Sequence, residues 1–119
     1  MFKRHTISVS HAVDGLIWAL KTQPNYRIHL FLSILSIIGG IVLKISYFEF
    51  LMIFFLITVG LVIETINTGI EQTTDAIDEK IREDIKIAKD VSAAAMLIYA
   101  VGAFVIACFI FIPKIIIYI

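Results

Sequence analysis

The chain has 119 residues, is 60% apolar and carries ten basic against ten acidic side chains, so its formal charge is zero. A mean hydropathy of +0.96 leaves too little polar surface to cover a water-soluble globule, which excludes an ordinary soluble enzyme and points to one membrane domain, 1–119. Zero net charge argues neither for nor against nucleic acid, which is not expected as a partner, and the single Cys108 can form no intrachain disulfide.

Met1 to Leu20 lacks the continuous apolar core and small-residue cleavage site of a secretory signal. Within residues 6–22, Val9, Val13, Leu16, Ile17 and Leu20 recur at helical spacing, with Ser10, Asp14 and Lys21 opposite. A soluble packing helix has the same pattern, but beside long apolar runs it reads as an amphipathic helix on a membrane surface. Pro24 ends it. Three spans follow, at about 28–45, 47–66 and 91–112, each near the roughly 20 residues that cross a bilayer as a helix. Lys44 and Ser46 mark a short turn between the first two, and the third is expected to stop at Pro113. Gly39-Gly40 reads as a helix-contact site, Trp18 and Tyr26 as interfacial belt residues, and His29, taken alone, as an interfacial anchor.

The connection "AIDEKIREDIKIAKD" sets Ile77, Ile81 and Ile85 at four-residue steps among mixed charges, mostly a solvated helix face. Eight of the ten basic residues lie before the first span or between the second and third: Lys3, Arg4, Lys21, Arg27, Lys80, Arg82, Lys86 and Lys89. The positive-inside rule therefore puts the N-terminus and this connection in the cytoplasm and the C-terminus outside.

The end of the second span, "VIETINTGIEQTTDAIDE", carries the chemistry. Measured from Glu64 on a helix turning about 100° per residue, Asn67 sits at roughly −60°, Glu71 at −20°, Asp75 at +20° and Asp78 at −40°. Ile63, Ile66 and Ile70 take the opposite side. Glu64 is about 25 Å along the helix from Tyr47, just inside a membrane boundary, where ionisable groups tend to be functional. Helix pairing would explain one such residue, but not a whole polar stripe. Carboxylates sharing a face need a cation, and Mg²⁺ suits one or two carboxylates plus substrate phosphates. A partly desolvated Glu64 fits a general base, and Lys89, beside Asp90 at the edge of the third span, fits a phosphate contact. Phosphoryl chemistry at the membrane surface follows, although no Walker A motif or kinase-type glycine loop is present.

"ETINTGIEQTTD" followed by "AKDVSAAAMLI" resembles the prokaryotic membrane diacylglycerol kinase and undecaprenol kinase family, whose signature is Glu-x-x-Asn-[Ser/Thr]-Ala-Ile-Glu-x-x-x-Asp and then Ala-Lys-Asp. The likeness extends over nearly the whole chain, including "NYRIHL" and "FIPK". It implies an all-α integral membrane protein with three transmembrane helices and a surface helix, assembled as a homotrimer with active sites between protomers. It implies an ATP-dependent lipid kinase in which Mg-ATP gives its γ-phosphoryl to a lipid hydroxyl. By position, Glu64 matches the base, Asn67 the polar residue beside it, Glu71 a metal-binding carboxylate, and Lys89 and Asp90 a nucleotide-contacting pair. Arg4 and His11 match nucleotide-side positions on the N-terminal helix.

Three departures stand out. Gln23 occupies the place of a second metal-binding glutamate, with Asp75 as a compensator. Gly69 replaces the usual alanine, at a local helix cost of about 1 kcal/mol and with room for closer helix approach. The 79–88 connection lacks the family's frequent His-Pro-Leu-type turn. "FIPK" resembles the undecaprenol branch, so undecaprenol is favoured over diacylglycerol as acceptor. The competing class is a non-catalytic small oligomeric transporter with a carboxylate-lined cation path. Against it, the carboxylates cluster at one membrane edge and none lies in the third span.

Overall fold

The computed structural model describes residues 2–80 and 82–119, so Met1 and the predicted Ile81 position lie outside the described residues. Four helices follow in order: α1 Phe2–Thr22, α2 Pro24–Val42, α3 Tyr47–Ile77 and α4 Glu83–Tyr118. The last three are long and apolar enough to cross a membrane. α3 is the central rod and packs on both α2 and α4, while α1 touches α2 and α3.

Local chemistry sets each boundary. Gln23 is extended, with φ −104° and ψ 106°, as the residue before a proline must be to clear the ring. Pro24 then opens α2, where its missing N–H costs no helical bond. At the other end of α2, Ile45 N–H reaches Gly40 O at 3.1 Å and Lys44 N–H reaches Ile41 O at 3.3 Å. This is a Schellman closure, with Lys44 in the left-handed position at φ 55°. A Cβ on Gly40 would meet Ile45 Cδ1 at 2.8 Å and Phe50 Cε1 at 2.9 Å, so the glycine pair does serve a helix contact. The closure ends α2 at Val42, earlier than the expected Ile45.

α3 starts with a capping box. Ser46 Oγ accepts from Glu49 N–H at 3.1 Å, and Glu49 Oε1 accepts from Ser46 N–H at 2.9 Å. The helix runs on to Ile77, past the span read to residue 66 and nearly to the Asp78 limit of the predicted helical stripe, because the charged segment keeps helical geometry after the apolar run ends. α4 likewise begins in the charged connection, with Glu83 and Asp84 in its first turn, where acidic groups suit the helix dipole. It does not stop at Pro113, which lies inside the helix. Spanning helices tolerate an internal proline because the surrounding apolar medium offers the backbone no competing partner. α1 starts four residues before the expected position, and its Val9, Val13, Leu16, Ile17 and Leu20 all remain exposed.

Candidate active site

The polar stripe of α3 points inward. Glu64, Asn67, Thr68 and Thr74 are 5–8% exposed, whereas Ile66 on the opposite side is 58% exposed. The stripe faces α4, whose Ser92 is also buried. Ser92 donates its hydroxyl to Asn67 Oδ1 at 2.5 Å, and Asn67 Nδ2 donates to Glu71 Oε1 at 3.4 Å. Two helices and three polar side chains thus form one short relay. Glu71 is half-buried, and Asp75, one turn further along, is exposed.

Lys89 of α4 pairs with Asp75, which brings the predicted lysine to the predicted stripe. Asp90 turns elsewhere and accepts from Lys86 at 2.6 Å. That hydrogen bond, and the charge behind it, raise the Lys86 ammonium above its ordinary range. Arg4 and His11 are exposed on α1, and neither side chain bonds to the stripe. Gln23 caps α2 and donates to Thr22 Oγ1 at 3.2 Å.

Glu64 has a different setting from its neighbours. Its carboxylate receives no hydrogen bond among the described residues, and it lines one end of a cavity of about 930 Å³. α2 and α4 form the walls of that cavity, and Ile53, Leu56 and Ile57 of α3 form its floor. Asn25 and His29 lie at the same end of α2, while Leu43 and Phe111 line the far end. The lining is apolar apart from a few polar groups, mostly at the Glu64 end.

A three-helix junction holds that end. His29 of α2 and Tyr99 of α4 meet over Gly60 of α3, with ring centroids 5.9 Å apart. A Cβ on Gly60 would lie 2.2 Å from His29 Cε1 and 2.5 Å from Tyr99 Cζ, so only glycine admits both rings. The Tyr99 hydroxyl donates to Leu56 O. Tyr26, read from sequence as a belt residue, is instead 4% exposed, and its hydroxyl lies 3.3 Å from Thr65 Oγ1, within hydrogen-bond distance. The belt reading failed because amphipathic rings suit a membrane interface and a polar helix contact equally well. The close approach expected at Gly69 is also absent, since a Cβ there meets nothing within 4 Å.

Sequence reasoning missed Ser92, Thr68 and Tyr99. Ser92 had a usable signal, because it is three residues from Lys89 and shares its helix face. Thr68 and Tyr99 had none, because a lone polar residue in an apolar run does not say which helix it meets.

No group of three or more His, Cys, Asp or Glu side chains converges among the described residues. The donor set therefore suits a cation held by one or two carboxylates and completed by phosphate oxygens, rather than an all-protein cage.

Comparison with known proteins identifies the family. The sequence pattern of the family described as prokaryotic diacylglycerol kinase matches residues 10–111. An undecaprenol kinase of Bacillus subtilis (strain 168) is 35% identical over 107 residues, covering 90% of this chain and 87% of its own. A diacylglycerol kinase of Synechocystis sp. is 28% identical over 108 residues, covering 90% of this chain and 62% of its own. A match from 10 to 111 takes in α2, α3 and most of α4, and the chain belongs to the prokaryotic diacylglycerol kinase family, as a lipid kinase.

Proposed function

We propose that the protein transfers the γ-phosphoryl of Mg-ATP to the hydroxyl of a membrane lipid, with undecaprenol favoured over diacylglycerol. The observation that carries this reading is the buried Glu64 carboxylate, free of donors and open to the polar end of an apolar cavity. A lipid alcohol entering the cavity sets its hydroxyl against that carboxylate and leaves its chain among apolar side chains. Glu64 takes the hydroxyl proton as the lipid oxygen bonds to the γ-phosphorus, and the bond to the β,γ-bridging oxygen breaks to release ADP. Glu71, with Gln23 as second ligand, would hold Mg²⁺, and the bound ion would supply charge neutralisation on the triphosphate oxygens. Lys89 leaves Asp75 to meet phosphate as a point charge. Asp90, Arg4 and His11 stand on the nucleotide side.

The acceptor preference draws on length. The cavity follows α2 from Asn25 to Leu43, about 27 Å at 1.5 Å per residue. That approaches the roughly 30 Å hydrocarbon thickness, more than one leaflet's acyl chains reach and suited to a single long polyprenol chain. The positive-inside distribution places the site and N-terminus at the cytoplasmic face of the cell membrane, with α1 on its surface. Apolar side chains exposed along α2 and α4 support burial in lipid and in a homotrimer.

The test is incubation of purified protein in detergent with labelled ATP and either undecaprenol or diacylglycerol. Label in undecaprenol at a higher kcat/KM is expected. Label in neither lipid removes the kinase reading for this chain and returns the transporter reading to contention.

A further inference from the structure

We propose that Ser92 is a positioning residue for phosphoryl transfer, its hydroxyl holding the Asn67 carboxamide in place between Glu64 and Glu71. The inference rests on the kinase reading above. Hydroxyls on helices of this chain have a strong habit. Ser8, Thr22, Ser33, Ser36, Thr58, Thr65, Thr73 and Thr74 each donate to the carbonyl four residues back. That bond is the common local choice for a helical serine or threonine, although Thr68 makes no hydrogen bond among the described residues. Ser92 leaves it unmade and donates across to α3 instead, at 2.5 Å and in a fully packed setting. Helix pairing alone does not need such precision, because apolar contact already joins α3 and α4.

Glu71, which only accepts, decides which end of the Asn67 amide turns toward it, and Ser92 anchors the opposite end. A carboxamide has two nearly isosteric orientations with opposite polarity. With Ser92 donating to Oδ1, the amide N–H points at Glu71 Oε1. The reverse orientation sets two oxygens against each other and turns no donor toward the triphosphate side. Ser92 therefore acts through Asn67: its hydroxyl, able to donate or accept, does not choose the polarity but holds the carboxamide in place, so that the donor stays aimed at Glu71, about two helical turns from Glu64. Ser92 touches neither Glu64 nor Glu71 by any hydrogen bond, so its effect on catalysis must travel through the amide.

The experiment compares wild type, Ser92→Ala and Ser92→Thr. Steady-state phosphorylation of the better lipid is measured together with the ¹⁵N side-chain amide spectrum of Asn-labelled protein. The chain has only Asn25 and Asn67, so an Asn25→Gln sample assigns both signals. Ser92→Ala is expected to lower kcat by about ten- to hundredfold, leave the KM for ATP within about twofold, and move the Asn67 amide resonances. Ser92→Thr, which keeps a hydroxyl, is expected to restore kcat to within about threefold and return the resonances toward wild type. Unchanged kcat in active Ser92→Ala protein overturns the inference. So does an equal loss in both variants that tracks melting temperature, which marks a packing role. Absence of transfer by wild type defeats the kinase reading, and an unmoved Asn67 amide in Ser92→Ala defeats the Ser92 assignment whether or not wild type is active.

Discussion

The two ends of the α3–α4 pair are held by different physics. At the Ser46 end, Ile45, Ile53 and Ile110 form a small apolar core flanked by Phe50 and Phe111, and Lys114 meets Glu49 at 3.6 Å. At the Asp75 end one apolar side chain, Ile85, is buried, and the other buried side chains are the polar Glu64, Asn67, Thr68, Thr74 and Ser92. In lipid, apolar contact between helices gains little hydrophobic free energy, because acyl chains are as apolar as isoleucine. Close packing, a capped helix start and one ion pair hold the first end. The second spends stability on burying polar groups, and Thr68 Oγ1 is buried there with no partner among the described residues. An unsatisfied hydroxyl of this kind costs about 1–3 kcal/mol. One pair of helices thus joins a fastening end to a working end, and Gly60 lies between them.

This comparison breaks most readily at Glu64. Glu64→Gln keeps the shape and removes the proposed base, and kcat is expected to fall by about 10²–10⁴ with melting temperature nearly unchanged. Wild-type turnover in that variant would show that the working end works without its base. Gly60→Ala strikes the boundary. The new methyl must displace His29 or Tyr99, and overpacking of this sort costs about 1–3 kcal/mol. Thermal unfolding in detergent reads it, and an unchanged midpoint would mean the three-helix junction is loose. Gln23→Glu sharpens the working end by restoring a carboxylate. The Mg²⁺ concentration for half-maximal activity is expected to drop severalfold, and an unmoved titration removes Gln23 from the metal shell. The smallest effect belongs to the fastening end. Lys114→Met is expected to cost less than about 1 kcal/mol and leave kcat alone, so a large loss of activity there would erase the division of labour.

Much of this was legible in the sequence because membrane helices obey short-range rules. The three apolar runs, the Lys44–Ser46 turn and the acidic stripe each follow from spacing within one helix. Spacing alone put these residues on one face, and the structure turned that face inward, with Ile66 on the opposite side exposed. Helix ends were less legible. Residue 66 marks where hydropathy falls and the span ends, while the helix that carries the polar stripe runs on to Ile77. Pro113 reads as a stop because proline breaks helices in water, where the backbone has somewhere else to go, yet α4 continues through it.

Sequence alone therefore determined which residues share a face, how far each helix can reach, and that carboxylates gather at one membrane edge. It could do so because these depend on a period of about 3.6 residues and on lipid thickness. Only the tertiary structure decided that Ser92 faces Asn67, that His29 and Tyr99 close over Gly60, and that Tyr26 is buried beside Thr65. Those pairings join residues 25 to 70 positions apart, and they depend on the rotation and register of one rod against another, which no local pattern encodes.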